Sequence, residues 1–76
     1  MSIRIGDIVE LKRYYPYISI NNPRGIITKI DYSNITNIYY VRIPPKYMKR
    51  SEKYSNFKNT LIVSRDEFRK IGKDED

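Results

Sequence analysis

β-Branched and aromatic side chains crowd residues 25–43, GIITKIDYSNITNIYYVRI, in two runs parted by a polar stretch. Ile26, Ile27, Thr28, Ile30 and Tyr32 make the first run, and Ile38, Tyr39, Tyr40, Val41 and Ile43 the second; these types suit a pleated, half-buried surface. Residues 33–37 supply Ser, Asn and Thr turn chemistry between them. The pattern predicts a hairpin at the centre of the fold. In its second arm, period-two alternation puts Tyr39, Val41 and Ile43 on a dry face and Ile38, Tyr40 and Arg42 on a mixed one. In its first arm Ile27 and Ile30 are three apart, which breaks the period and predicts a bulge or sharp bend near Thr28 and Lys29.

The flanking segments extend the pattern. Ile3 and Ile5 lead into a Gly6-Asp7 turn and a strand with Val9 and Leu11 pointing inward. Residues 13–24, RYYPYISINNPR, form a long loop broken by Pro16 and by Asn21-Asn22-Pro23. Pro44 and Pro45 end the third strand because neither can donate to a ladder. Residues 46–58 form a second long loop, and residues 60–63 a short strand. Ser64 and Glu67 have capping-box spacing and predict a helical turn over 65–71, with Phe68 and Ile71 plugging one end of the fold and Gly72 stopping the turn. The expectation is all-β: a five-stranded, strongly bent antiparallel barrel with strands near 2–5 or 7–12, 25–32, 38–43 and 60–63. Residues 1–72 make one domain and 73–76 a disordered acidic tail. The expected core is Val9, Leu11, Ile27, Ile30, Tyr39, Val41, Ile43, Leu61, Val63 and Phe68.

The run IGDIVELK at 5–12, followed by a loop and a strand opening on Gly25-Ile26-Ile27, resembles the Src-homology-3-like small barrels, including the KOW-type domains of transcription and translation factors. The resemblance is one of spacing, over nearly the whole chain, and implies that 13–24 is the long first loop of such a barrel. Many unrelated binding modules share that scaffold, so the resemblance leaves the ligand open.

Composition narrows the function. At 76 residues the chain is near the size where one apolar core barely suffices. Cysteine and histidine are absent, which excludes disulfides, thiolate chemistry, Cys/His metal sites and imidazole catalysis. No cofactor is expected, and an enzyme is the weakest reading, since nothing pairs a nucleophile with a base. The 13 Ile, 8 Lys, 8 Tyr and 6 Asn fit an AT-rich gene of bacterial or phage origin, and such drift supplies Lys and Tyr without selection for binding. Position must therefore carry the argument. The net charge of +6 is uneven: residues 1–63 hold eleven basic and four acidic side chains, and residues 64–76 four and five. No apolar run approaches the roughly 18 residues of a membrane span and no leader opens the chain. The expected setting is the cytoplasm, the host's if the source is viral, with no membrane or small-molecule partner.

Both long loops interleave cations with rings. In the first, Arg13 and Arg24 bracket Tyr14, Tyr15 and Tyr17. In the second, Lys46, Lys49, Arg50, Lys53 and Lys58 face a single acid, Glu52, and alternate with Tyr47, Tyr54 and Phe57. Stacking bases and neutralising phosphates needs these residue types in one exposed segment. The predicted site is Arg13, Tyr14, Tyr15, Arg24, Lys46, Tyr47, Lys49, Arg50, Lys53 and Tyr54, on one side of the barrel. The competing reading folds the tyrosines over the barrel mouth as extra core and leaves the charges as a solvated surface. Asn34-Ile35-Thr36 fits a glycosylation triplet but reads as turn chemistry. Asp7, Glu10, Asp31 and Glu52 are too scattered for a carboxylate pair or metal cage and read as turn or strand-surface residues. Two functions compete: a nucleic-acid-binding module, or a protein-binding module that docks an acidic surface on a partner such as a host enzyme.

Overall fold

The computed structural model describes residues 3–33, 35–49 and 59–73. Its strands are β1 (Asp7–Leu11), β2 (Arg24–Asp31), β3 (Ile38–Arg42), β4 (Thr60–Ser64) and β5 (Phe68–Lys73), all antiparallel in one sheet of order β4-β3-β2-β1-β5. This is the expected all-β, five-stranded class, but residues 3–5, expected as a possible strand, form none, and the fifth strand is β5. Among the described residues no helix is long and apolar enough to cross a membrane.

The central hairpin pairs β2 with β3 from Ile26↔Arg42 to Asp31↔Ile38, and its register shifts between Ile27 and Lys29. Thr28 is the extra residue, at the place where the broken period calls for a bulge. A second shift falls where Ile8 meets Gly72 and Val9 meets Lys70, making Ile71 the odd residue of β5. Bulges raise local twist, and the sheet curls on itself: Tyr39 of β3 meets Phe68 of β5 edge-on at 5.1 Å, although β2 and β1 lie between those strands in the sheet.

The concave side holds the core: Val9, Leu11, Ile27, Tyr39, Val41, Ile43, Leu61, Val63 and Phe68 are buried, as expected. Ile3 and Ile18 join them. Ile30 does not, being half-buried against the cluster beyond the bulge.

The C-terminal segment departs from expectation. Ser64 and Glu67 close as a capping box, with the Ser64 N–H donating to Glu67 Oε1 at 3.3 Å, but the turn they cap is a 3-10 turn limited to Arg65–Glu67. Residues 68–71 continue as strand because β1 would otherwise leave one side of its backbone unpaired; Leu11 pairs with Phe68 and Asp7 with Lys73. Phe68 still fills the core, whereas Ile71, expected beside it, is partly exposed at the bulge. The strand reaches Lys73, the first residue of the expected tail; the remaining tail residues lie outside the described ones.

Candidate functional site

Pro16 sits at the second position of a turn in which Ile18 N–H donates to Tyr15 C=O at 3.0 Å, a place its fixed φ favours. The turn aims Ile18 into the core. Farther along, Asn22 adopts a left-handed φ of 51° and donates its amide to Leu11 C=O at 3.1 Å, while Leu11 N–H reaches Pro23 C=O at 2.8 Å. Asn tolerates this conformation better than most residues, and the first loop is thereby pinned at its base.

The second loop is pinned by a reciprocal pair: Ile43 N–H donates to Asn59 C=O at 2.7 Å, and the Asn59 amide to Ile43 C=O at 3.0 Å. Its first part turns through a 3-10 segment at Pro45–Tyr47. The two loops then join. Ser19 N–H donates to Tyr47 C=O at 2.7 Å, Lys49 N–H to Tyr17 C=O at 2.9 Å, and Ile18 bridges Met48.

This ladder brings predicted residues together. Lys49 Nζ lies 3.4 Å from the Tyr14 hydroxyl and 5.8 Å from its ring centre, and Lys46 Nζ lies 5.0 Å from the ring centre of Tyr47. Such exposed cation–ring contacts are worth about 0.5–1 kcal/mol each, too little to hold the rings against a competing partner. Tyr14 is 58% exposed and free to meet one.

The tyrosines divide between the two readings. Tyr15, Tyr17 and Tyr47 pack against the core. Tyr15 and Tyr17 lie 6.0 Å apart, centre to centre, and burial raises the pKa of both phenols. The Tyr15 hydroxyl is buried with no hydrogen bond at normal geometry; Glu67 acts on it as a neighbouring negative charge, adding to the effect of burial. Tyr15 is thus a loop anchor more than a stacking surface.

The remaining predicted cations are placed differently. Arg13 reaches Glu67 at 3.8 Å on the 3-10 turn. Arg24 lies on the outer face of the sheet, 3.4 Å from Glu10, whose other oxygen takes Arg69 at 2.8 Å. Hydrogen bonding and charge from Arg69, helped by Arg24, lower the Glu10 pKa. Arg50, Lys53 and Tyr54 lie outside the described residues. Of the scattered acids, Asp7 is buried: its carboxylate accepts the Arg4 N–H at 2.8 Å and pairs with Lys70 at 3.3 Å. Alternation across the hairpin also gathers Lys29, Tyr40 and Arg42 on the outer face, outside the loops singled out by composition.

In comparisons with protein-family models, curated proteins and solved structures, nothing matches this chain.

Proposed function

We propose that this chain is a non-enzymatic, cytoplasmic binding module that contacts nucleic acid through phosphate neutralisation and tyrosine stacking. The observation that carries the reading is the pairing of the two loops, beside which Lys49 meets the exposed ring of Tyr14 and Lys46 the half-buried ring of Tyr47. The charge of +6 supports it, because fixed cations that neutralise phosphates release the polyanion's condensed counterions to solution. Strand number, strand order and the long first loop support the resemblance to Src-homology-3-like barrels of the KOW type, and with it a place in a transcription or translation assembly.

The rival is a protein-binding module, a phage or mobile-element product that docks an acidic groove of a host enzyme through the same loops. Charge steers both partners alike, but only nucleic acid offers bases to an exposed ring such as Tyr14.

Titration with labelled duplex DNA, single-stranded DNA and RNA at two salt concentrations tests the reading. Affinity falls with salt by roughly 0.9 power per phosphate contact on duplex and about 0.7 on single strands. Lys46→Glu with Lys49→Glu is expected to weaken binding more than tenfold and flatten that slope while thermal unfolding stays near the parent's. Absence of salt-sensitive binding in the parent hands the function to the protein-binding reading.

A further inference from the structure

The convex face of the central strands carries chemistry that the loops do not explain. The bulge at Thr28 turns Lys29 outward opposite Tyr40, and its ammonium lies 5.1 Å from that ring's centre. Thr28 Oγ1 donates to Tyr40 C=O at 3.3 Å and fastens the bulge to β3. Across β3, Tyr40 is in register with Ile62 of β4, whose side chain is 65% exposed. Two residues along β3, on the same face, Arg42 stands exposed between Ile26 and Thr60.

Charge marks the occupant. Among the described residues no carboxylate pairs with Lys29 or Arg42, whereas Arg24 and Arg69 are taken up by Glu10 and Lys70 by Asp7. Asp31 borders the patch in the row beyond Tyr40, and Glu10 borders it on the other side with both its arginines attached. Between those acids lies a strip with a ring and an isoleucine at its centre and two cations without a carboxylate partner among the described residues, Lys29 over the ring and Arg42 beside it.

We infer that the outer face of β2, β3 and β4 is a stacking platform for single-stranded nucleic acid, with Tyr40 and Ile62 against bases and Lys29 and Arg42 against phosphates. The inference rests on the nucleic-acid reading above and adds both a second surface and a strand preference. A duplex hides its base faces; a single strand offers them together with phosphates a short reach away, which is the pairing of apolar centre and neighbouring cations found here. Lys29 does not block the ring. An exposed ammonium–ring contact is weaker than a base–ring stack, so a base displaces Lys29 from the ring and frees its ammonium for a phosphate of the same strand.

The test is fluorescence anisotropy of a labelled oligodeoxythymidylate and of a duplex of equal length, with the parent, Tyr40→Leu, Tyr40→Phe, Arg42→Gln and the Lys46→Glu, Lys49→Glu loop variant. The parent should prefer the single strand. Tyr40→Leu should lose about tenfold on it, Tyr40→Phe should bind as the parent, and Arg42→Gln should reduce the salt slope by about 0.7. If Tyr40→Leu and Arg42→Gln bind as the parent while the loop variant fails, the platform is overturned and the nucleic-acid reading stands. If the parent binds neither oligonucleotide in a salt-sensitive way, both fall. Equal binding of polyglutamate, indifferent to Tyr40→Leu, assigns the face to an acidic protein and also overturns the platform. Should Tyr40→Leu fail to unfold cooperatively, Arg42→Gln, an exposed substitution, decides alone.

Discussion

Gly25 faces Val9 across the β1–β2 ladder, where the backbone of β3 passes close behind it. A methyl group there would lie 2.5 Å from Arg42 O, 2.6 Å from Val41 Cγ1 and 2.9 Å from Ile43 Cδ1, so backbone as well as core side chains would have to shift. Gly25→Ala should therefore cost about 3 kcal/mol, at the upper end for overpacking, and thermal denaturation should show a melting point lowered by more than 10 °C, on the order of 4–8 °C per kcal/mol for a domain this small. The sequence marks Gly25 as the opening of a strand, but the close approach belongs to Val41 and Ile43, sixteen or more residues away, and has no local signal. Asp7 has the same history: its turn is readable, its burial against Lys70 is not, because the partner comes from the other end of the chain. Glu10 contributes to the acid-side pH dependence, as does Asp66, whose pKa the Ser64 hydroxyl lowers. Hydrogen bonds and charge from Arg69 and Arg24 hold the folded pKa of Glu10 below the usual 4.5, so between the two values the unfolded chain binds more protons. Its stabilisation is complete above about pH 4.5 and is lost as the pH falls through the folded value. Unfolding of Glu10→Gln followed from neutral to acid pH should show a shallower acid-side fall than the parent; equal slopes would remove Glu10 as a source.

Strand β3 is the most legible element because both its faces obey one rule: Tyr39 and Val41 inward, with Ile43 just past its end continuing the series, and Tyr40 and Arg42 outward. Val41 is fully buried between Ile27 and Leu61 of the neighbouring strands, and its truncation to Ala should cost about 2 kcal/mol with little room for collapse, measurable by urea unfolding at unchanged m-value. Strand β5 was the least legible. Its first residues follow a capping box, and Phe68 and Ile71 sit three apart, a spacing that fits one helical turn as well as a strand with a bulge. Only the unpaired side of β1 separates the alternatives, and that is a fact about the sheet.

At the scale of the molecule, composition pointed to two basic, aromatic loops, and their pairing through Ser19, Tyr47 and Lys49 brings part of the predicted set together. What composition could not do was separate anchoring rings from exposed ones: Tyr14 and Tyr15 are neighbours in sequence, yet one is exposed and the other packs on the core. Nor did it single out Lys29 and Arg42, which share a face only through the bulge and the strand register. The same loop pairing limits what can be done with this scaffold. Ile18 is a loop residue with no exposed surface, so the first loop contributes to the core, and the recognition proposed for this loop would draw on a segment that also holds the fold. Display of a foreign peptide is better placed at the opposite hairpin, where Ile35 is 96% exposed and Ser33 accepts the Thr36 N–H in a local turn. A ten-residue Gly/Ser insert between Ile35 and Thr36 should leave cooperative unfolding intact at a cost of about 1 kcal/mol or less, whereas the same insert between Ile18 and Ser19 should open the core and make the chain a ready substrate for limited proteolysis.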